Sequence, residues 1–294
     1  MTGEFAFIQA LRALASDPAA RGLSDDCAVL PFGGEVLVLT HDAIVAGVHF
    51  PPDADPADVA WRLVATNISD LAAKGAEPVG VLLAYQLAGG EERFLQGLAE
   101  ALAEYGAPLL GGDTVGLPAG AAQTLGLTAI GRATCAPVPG RDGARAGDAL
   151  YITGPVGAAM MGYEALCRGE ADPAMTQAYR RPRALLAQGR VLAPVVHAMM
   201  DVSDGLLLDA ARMARASGVS FAIDRAAVPI AAPEARRDDA LRWGDDYQLL
   251  FALPDGIAPP VQAFCIGRAV AAGAAPILLD GAALDEEAGL GYRH

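Results

Sequence analysis

Lysine is nearly absent from this sequence. Lys74 is the only lysine among the 21 basic residues of a 294-residue chain, and every other basic side chain is an arginine. The P-loop of many nucleotide-binding proteins needs a lysine after a glycine-rich loop, and no GxxxxGK[ST] motif occurs here. If the chain binds a phosphorylated ligand, arginines and metal ions must neutralise the phosphate charge.

Positive charge as a whole is scarce, because the formal net charge is −14 and the pI is about 4.6. Nucleic acids and anionic membrane surfaces both select for clustered Lys and Arg. The composition therefore argues against either as a partner.

Paired cysteines and long apolar runs are also missing. The four cysteines show no CxxC spacing, which predicts buried thiols in a reducing compartment: Cys27, Cys135, Cys167 and Cys265. No segment reaches the roughly 20 apolar residues that span a bilayer, and the first residues lack the basic start of a signal peptide. We expect a cytoplasmic protein that is not bound to a membrane.

Hydrophobic residues make up 53% of the chain, so it can bury a large core, and the spacing of these residues predicts alternating helices and strands. The clearest helix is expected from Pro56 to Lys74, because Asp55 can cap it and Pro56 suits its first turn. Further helices are expected at 5–14, 91–105, 158–167, 184–192 and 206–217. Strands are expected at 27–31, 36–45, 79–87, 124–132, 149–153, 219–223, 248–253, 261–267 and 276–279.

Residues 137–140 (PVPG) form the best candidate linker, since two prolines and a glycine interrupt regular structure. This divides the chain into predicted domains at 1–136 and 137–294. Both halves mix helices and strands without strict βαβ alternation. The predicted fold class is therefore α+β, a mixed α/β architecture in two domains.

Aspartates recur at strand ends and turns, often beside Gly, Ser or Thr: Asp25, Asp26, Asp42, Asp70, Asp113, Asp201, Asp204, Asp245 and Asp246. Each alone is compatible with a cap, a turn or a solvated charge. Together they offer the carboxylates that hold Mg²⁺ on phosphate oxygens. The set therefore indicates a metal-dependent enzyme acting on phosphates.

Eight segments in order resemble the motifs of the thiamine-monophosphate kinase family, and a closing GY (291–292) does so as well. These are GLSDDCAVL (22–30), THDAIVAGVHF (40–50), ATNISDLAAKGA (65–76), GGDT (111–114), RDGARAGD (141–148), RPR (181–183), DVSDGL (201–206) and GDDYQLLF (244–251). The family shares a superfamily with aminoimidazole ribonucleotide synthetase and selenophosphate synthetase. The eight segments follow the order of the family motifs from residue 22 to residue 251, which makes the resemblance specific.

The resemblance implies a synthetase-like N-terminal domain that pairs with its twin in a homodimer, followed by a C-terminal α/β domain. ATP and several Mg²⁺ ions would lie in the cleft between the domains. The positions matching metal-binding groups are Asp26, Thr40, His41, Asp42, Asp70, Asp113, Asp201 and Asp204. Those matching ATP contacts are Gly112, Asp113, Arg141 and Ser203, and those matching thiamine-phosphate contacts are His49, Asp245 and Tyr292.

The implied reaction is direct in-line transfer of the γ-phosphoryl group of ATP to thiamine monophosphate, which is the last step of thiamine diphosphate biosynthesis. Asp113, Asp204 and Arg141 are the expected catalytic residues. His49 is equally compatible with a buried structural histidine. Without the motif, Tyr292 would be a frayed residue near the end of the sequence.

The sequence departs from the family pattern at Ser24, His41, Lys74, Trp243, Asp245 and Gln248. Lys74 takes an apolar position, and the shorter acid at Asp245 puts substrate affinity in question. Two rival functions remain open. One is another enzyme of the superfamily, a cyclo-ligase or a phosphate-donor synthase. The other is a protein that binds nucleotide or thiamine phosphate without transfer.

Overall fold

The structure is a computed structural model that describes residues 4–170, 172–284 and 289–292. Its N-terminal half contains three helices, α1 (Glu4–Arg12), α2 (Pro56–Ala73) and α3 (Glu91–Tyr105). The strands of this half are β1 (Ala28–Phe32), β2 (Glu35–Val45), β3 (Ala76–Leu87), β4 (Leu109–Gly116) and β5 (Thr124–Ala133). They form one sheet in the order β1-β2-β5-β3-β4, in which only the β3–β4 pair is parallel.

The C-terminal half contributes a seven-stranded sheet in the order β12-β11-β8-β10-β6-β9-β7. Its strands are β6 (Ala149–Ile152), β7 (Ala198–Asp201), β8 (Val219–Ile223), β9 (Leu249–Leu253), β10 (Phe264–Ala271), β11 (Ile277–Leu279) and β12 (Ala282–Leu284). Its helices are α4 (Ala158–Cys167), α5 (Pro173–Arg180), α6 (Leu186–Leu192), α7 (Leu206–Ser217) and α8 (Arg237–Ala240). Each half has its own apolar core, and no strand or helix lies between Ala133 and Ala149 in this described stretch.

Helix α2 joins the two halves. Asp55 accepts a hydrogen bond from the Ala57 N–H at 3.0 Å, so the helix begins where the capping signal predicts. Every residue of α2 except Pro56 and Trp61 is buried. One side packs on the N-terminal sheet, and Ala72 and Ala73 pack with apolar residues of α6, β7 and β9. The helix therefore carries its polar residues into the contact between the halves.

Most of the expected elements are confirmed, but β7, β12 and α8 were not predicted, β3 begins at Ala76 rather than Val79, and four further differences have clear causes or bounds. Helix α1 ends at Arg12 rather than Leu14, and β10 lies at 264–271 rather than 261–267. Strand β4 was missed because its adjacent glycines are poor strand formers. Helix α5 was missed because it is short, although Asp172 caps it at Ala174 and Pro173 begins it. Among the helices of the described ranges, none combines the length and the hydrophobicity that a membrane span requires.

Candidate active site

A cleft of about 1900 Å³ lies between the two halves. Strand β2 and helix α2 line one side, and the ends of β7 and α7 line the other. Ten of the sequence-predicted site residues line it: Asp26, Asp42, His49, Asp70, Arg141, Asp201, Ser203, Asp204, Asp245 and Tyr292. Segments far apart in the sequence therefore converge on one cavity.

Three carboxylates meet at the base of this cleft. One oxygen from each of Asp26, Asp70 and Asp201 lies within 4.8 Å of the others. Asp70 comes from α2 and Asp201 from the end of β7, so both halves contribute. The sequence left open that Asp70 was a solvated charge, but its side chain is buried. We call this group the carboxylate cluster.

Burial and mutual repulsion make the ionised forms of this cluster costly. Burial, with the charges of Asp42 and Asp201, raises the pKa of Asp70 well above its usual range. Burial raises the pKa of Asp201 to about 6. Such a set of hard oxygen donors fits a divalent cation, which would favour the ionised carboxylates.

Hydroxyl groups donate hydrogen bonds to two of these carboxylates, and an amide group fixes the backbone of Asp42 beside them. The Thr40 hydroxyl donates to Asp70 Oδ2, and the Ser69 hydroxyl donates to Asp201 Oδ2 at 2.5 Å. Asn67 Oδ1 accepts from the Asp42 N–H at 3.0 Å, which ties β2 to α2. Thr40 thus lies beside the carboxylate cluster although it does not line the cleft.

Basic side chains flank the carboxylate cluster on one side. Arg141 forms an ion pair with Asp26, and its Nε donates to Asp26 Oδ2 at 3.1 Å. Lys74 Nζ lies 2.5 Å from Asp25 Oδ1 and 3.3 Å from Asp26 Oδ2. Arg21 Nη1 also pairs with Asp25 at 2.5 Å. The sequence analysis counted Asp25 only among the recurring aspartates, and it assigned no role to Lys74.

The segment before α7 presents Ser203 and Asp204 to the cleft. Asp209, fully buried in the first turn of α7, accepts from the backbone N–H groups of Ser203 and Asp204 at 3.0 and 2.9 Å. Burial raises the pKa of Asp209 to about 6, although Arg212 opposes this shift. Gly244 packs so closely that an added Cβ would lie 2.1 Å from the Ser203 carbonyl oxygen. Sequence reasoning missed Asp209 and Arg212, and an acid in the first turn of a helix was the available signal.

Asp245 and Arg62, which also line the cleft, form an ion pair. Arg62 Nη2 lies 2.5 Å from Asp245 Oδ2, and the guanidinium stands 4.4 Å from the ring centre of Tyr179. Asp245 adopts a positive φ of 67°. Trp243 and Tyr163 continue this aromatic surface, with ring centres 5.5 Å apart. Nothing in the sequence marked Arg62, because it lies inside a helix far from the motif containing Asp245.

His49 and Tyr292 border the same cavity. The Nδ1 of His49 accepts from the Val45 N–H at 3.0 Å, which closes the turn after β2. The Tyr292 N–H donates to the carbonyl of Asp204 at 2.9 Å, and the residue is 44% exposed. The backbone of Tyr292 is therefore anchored at the cleft rather than frayed.

Besides Thr40, three predicted residues do not line the cleft of this chain: His41, Gly112 and Asp113. Strand register explains the position of two of them. Asp113 on β4 pairs with Ala84 on β3, Ala84 pairs with Gly126 on β5, and Gly126 pairs with Ala43 on β2. These four residues form one row across the sheet and share one face of it. Ala43 and His41 point away from α2, whereas Thr40 and Asp42 alternate toward it. His41 and Asp113 therefore share the sheet face opposite the carboxylate cluster.

Comparison with known proteins identifies the family. The model of the N-terminal domain of AIR synthase related proteins matches residues 24–133, and the model of the C-terminal domain matches residues 145–272. The thiamine-monophosphate kinase of Escherichia coli K12 is 35% identical over 255 residues, 80% of this chain and 76% of that protein. The protein of the same name from Caulobacter vibrioides is 38% identical over 258 residues, 81% and 72% of the two chains. This chain belongs to the thiamine-monophosphate kinase family.

Solved structures of the thiamine-monophosphate kinase family confirm the predicted two-domain fold. A complex of AaThiL with AMPPCP and TMP matches with a TM-score of 0.88 and 28% identity, over 99% of this chain and 97% of that chain. The thiamine monophosphate kinase of Aquifex aeolicus matches with a TM-score of 0.81 and 27% identity, over 96% and 98%. The hydrogenase maturation protein HypE, at 23% identity and a TM-score of 0.72, shares the fold.

Proposed function

We propose that this chain is an ATP-dependent thiamine-monophosphate kinase that produces thiamine diphosphate and ADP. The observation that carries the proposal is the carboxylate cluster of Asp26, Asp70 and Asp201, which both halves of the chain build at the base of one large cleft. The cleft is wide enough for a nucleotide and a second small molecule. Membership of the family supplies the chemical identity of those substrates.

The reaction requires alignment rather than proton removal. A phosphate oxygen of thiamine monophosphate forms a bond to the γ-phosphorus of ATP, and the bond from that phosphorus to the β–γ bridging oxygen breaks. The bonding electron pair leaves with ADP. The acceptor is already ionised near neutral pH, so no general base is needed. The chain must instead orient two anions and offset their repulsion.

Mg²⁺ is the expected metal, because the cleft presents carboxylates and a hydroxyl rather than thiolates. We assign its ligands to Asp26, Thr40, His41, Asp42, Asp70, Asp113, Asp201 and Asp204, with His41 contributing through its backbone. When bound, Mg²⁺ would neutralise phosphate charge and act as a Lewis acid. Arg141 adds a fixed guanidinium beside Asp26, and we count it with Asp113 and Asp204 as catalytic.

The two substrates would occupy different parts of the cleft. We assign ATP to Gly112, Asp113, Arg141 and Ser203, and thiamine monophosphate to His49, Asp245 and Tyr292. The aromatic surface of Trp243 and Tyr163 beside Asp245 suits a flat cationic ring. This placement leaves the acceptor phosphate to face the carboxylate cluster.

A second copy of the chain would complete the site. Gly112 and Asp113 lie on β4, an edge strand whose eight residues are all exposed. An edge strand beside exposed apolar side chains such as Leu82 and Val115 is a surface that proteins usually cover. We propose that two copies form a homodimer through this sheet face of the N-terminal domain, residues 1–136, and that residues 137–294 form the C-terminal domain. We also propose that the protein is cytoplasmic.

The deciding experiment measures ADP release by the purified protein with ATP, Mg²⁺ and thiamine monophosphate, with thiamine as the control acceptor. We expect transfer to the monophosphate only. Asp70→Asn should abolish transfer, because it removes a charge of the carboxylate cluster while preserving the side-chain size. Asp255→Asn, in the exposed loop after β9, is the matched control and should retain full activity. Ligand-dependent stabilisation without ADP release would instead support a binding protein.

A further inference from the structure

Lys74, the only lysine of the chain, is fully buried directly after α2. Its ammonium group lies 2.5 Å from Asp25 Oδ1, 3.3 Å from Asp26 Oδ2 and 3.4 Å from the carbonyl oxygen of Met199. Lysine is rarely buried unless it is paired, because its charge loses its hydration. The position therefore serves an electrostatic purpose that an apolar side chain would not.

The partners of Lys74 connect it to the carboxylate cluster. Asp26 belongs to the cluster, and each of its carboxylate oxygens already contacts a basic side chain of the chain. Arg141 engages Oδ1, while Lys74 and the Nε of Arg141 approach Oδ2. Asp25, next to it, is shared by Lys74 and Arg21. Side chains thus balance the charge at this edge of the cluster, whereas Asp70 and Asp201 lie beside hydroxyl groups.

We propose that Lys74 is a positioning residue that acts as a built-in cation of the active site. Its ammonium group holds Asp25 and Asp26 in place and supplies a positive charge where a dissociable cation would otherwise be needed. The wild-type chain consequently binds fewer divalent cations than it would with an apolar residue at position 74. This inference rests on the proposed Mg²⁺ site.

Lys74→Met tests the inference, since methionine is unbranched, uncharged and of similar length. Without divalent cations, we expect the variant to melt about 5 to 10 °C below wild type, because Asp25 and Asp26 lose a buried partner. Saturating Mg²⁺ should remove at least half of that deficit. Titration with Mn²⁺, followed by electron paramagnetic resonance in the absence of nucleotide, should detect one more bound ion per chain than in wild type.

The control is Phe221→Leu, which weakens the C-terminal core without changing any charge. Its melting deficit should be the same with and without Mg²⁺, and its Mn²⁺ count should equal that of wild type. If Lys74→Met behaves like this control, Lys74 only ties segments together and the inference is overturned.

Wild-type protein offers a second measurement if the variant does not fold. Protein labelled with isotopic lysine gives a single set of side-chain NMR signals, because Lys74 is the only lysine. Mg²⁺ should shift these signals over the concentrations that raise the melting temperature. Signals that do not move would overturn the inference about Lys74 and leave the proposed function intact. A wild-type chain that binds neither Mg²⁺ nor Mn²⁺ would overturn the metal site of the proposed function as well.

Discussion

At the scale of single residues, the Arg62–Asp245 pair links helix α2 to the loop before β9. The Arg62 side chain is 4% exposed and donates from Nη1 to the Tyr179 carbonyl at 2.6 Å, so it bridges three segments. Burial opposes its charge, but Asp245, together with Tyr247 and Tyr179, offsets this effect, and the pKa of Arg62 is raised. The pair therefore holds in place the Asp245 carboxylate, to which we assign a role in binding the substrate.

Removing one partner of this pair should cost more than removing both. We expect Arg62→Met to lower the free energy of unfolding by about 2 to 4 kcal/mol, because Asp245 stays partly buried without its cation. Asp245→Asn in the same chain should recover part of this loss. Urea unfolding of both single variants and the double variant gives the coupling energy, and additive losses would show that the pair is not coupled.

Asp246 should make stability depend on pH. Burial raises its pKa to about 7, although the N–H groups of Gly157 and Ala159 oppose the shift. Because the folded state favours the protonated acid, this stabilisation is complete below about pH 4 and is lost as pH rises through 7. Over this range, Asp246 should lower the free energy of unfolding by up to about 1.4 kcal/mol for each unit of rising pH. Asp246→Asn should remove this dependence. Urea unfolding from pH 5 to 8 measures the slope, and identical slopes in both proteins would contradict the assignment.

At the scale of elements, local signals predicted most of the fold. Asp55 and Pro56 placed the start of α2 correctly, because a cap acts within one turn. The signals failed at β4, where a neighbouring strand rather than propensity holds the backbone extended. They also could not give the pairing of Lys74 with Asp25 or of Arg62 with Asp245. Those contacts depend on tertiary packing between segments distant in sequence.

Helix packing between the halves depends on Gly189 of α6. A Cβ at this position would lie 1.9 Å from the Ala72 carbonyl oxygen of α2. Gly189→Ala should therefore destabilise the protein by about 1 to 3 kcal/mol through overpacking, although alanine favours helices. Gly34→Ala, which has open space in a turn, should change stability by less than about 0.5 kcal/mol. Thermal unfolding of both variants measures the difference, and a stabilised Gly189→Ala would mean that α2 and α6 can separate without cost.

At the scale of the whole molecule, the proposed dimer would explain why Asp113 faces away from the carboxylate cluster of its own chain. The sheet face that carries Asp113 also carries Leu82, which is 39% exposed. Leu82→Glu should place a charge in the contact and convert a dimer into a monomer of 30.0 kDa, as measured by sedimentation velocity. Leu95→Glu on α3, at a leucine that is 58% exposed, is the matched control and should leave the dimer intact. A wild-type monomer with full activity would rule out a shared site.

Mixing two inactive variants would show which cleft Asp113 serves. If it acts in the cleft of the neighbouring copy, a dimer of one Asp113→Asn chain and one Asp70→Asn chain has one complete site. Random exchange should then restore about a quarter of wild-type ADP release, since half of the dimers are mixed. If Asp113 served its own chain, each cleft would lack one carboxylate and no activity would return. Because register places Asp113 on the outer sheet face, we expect the mixture to regain activity.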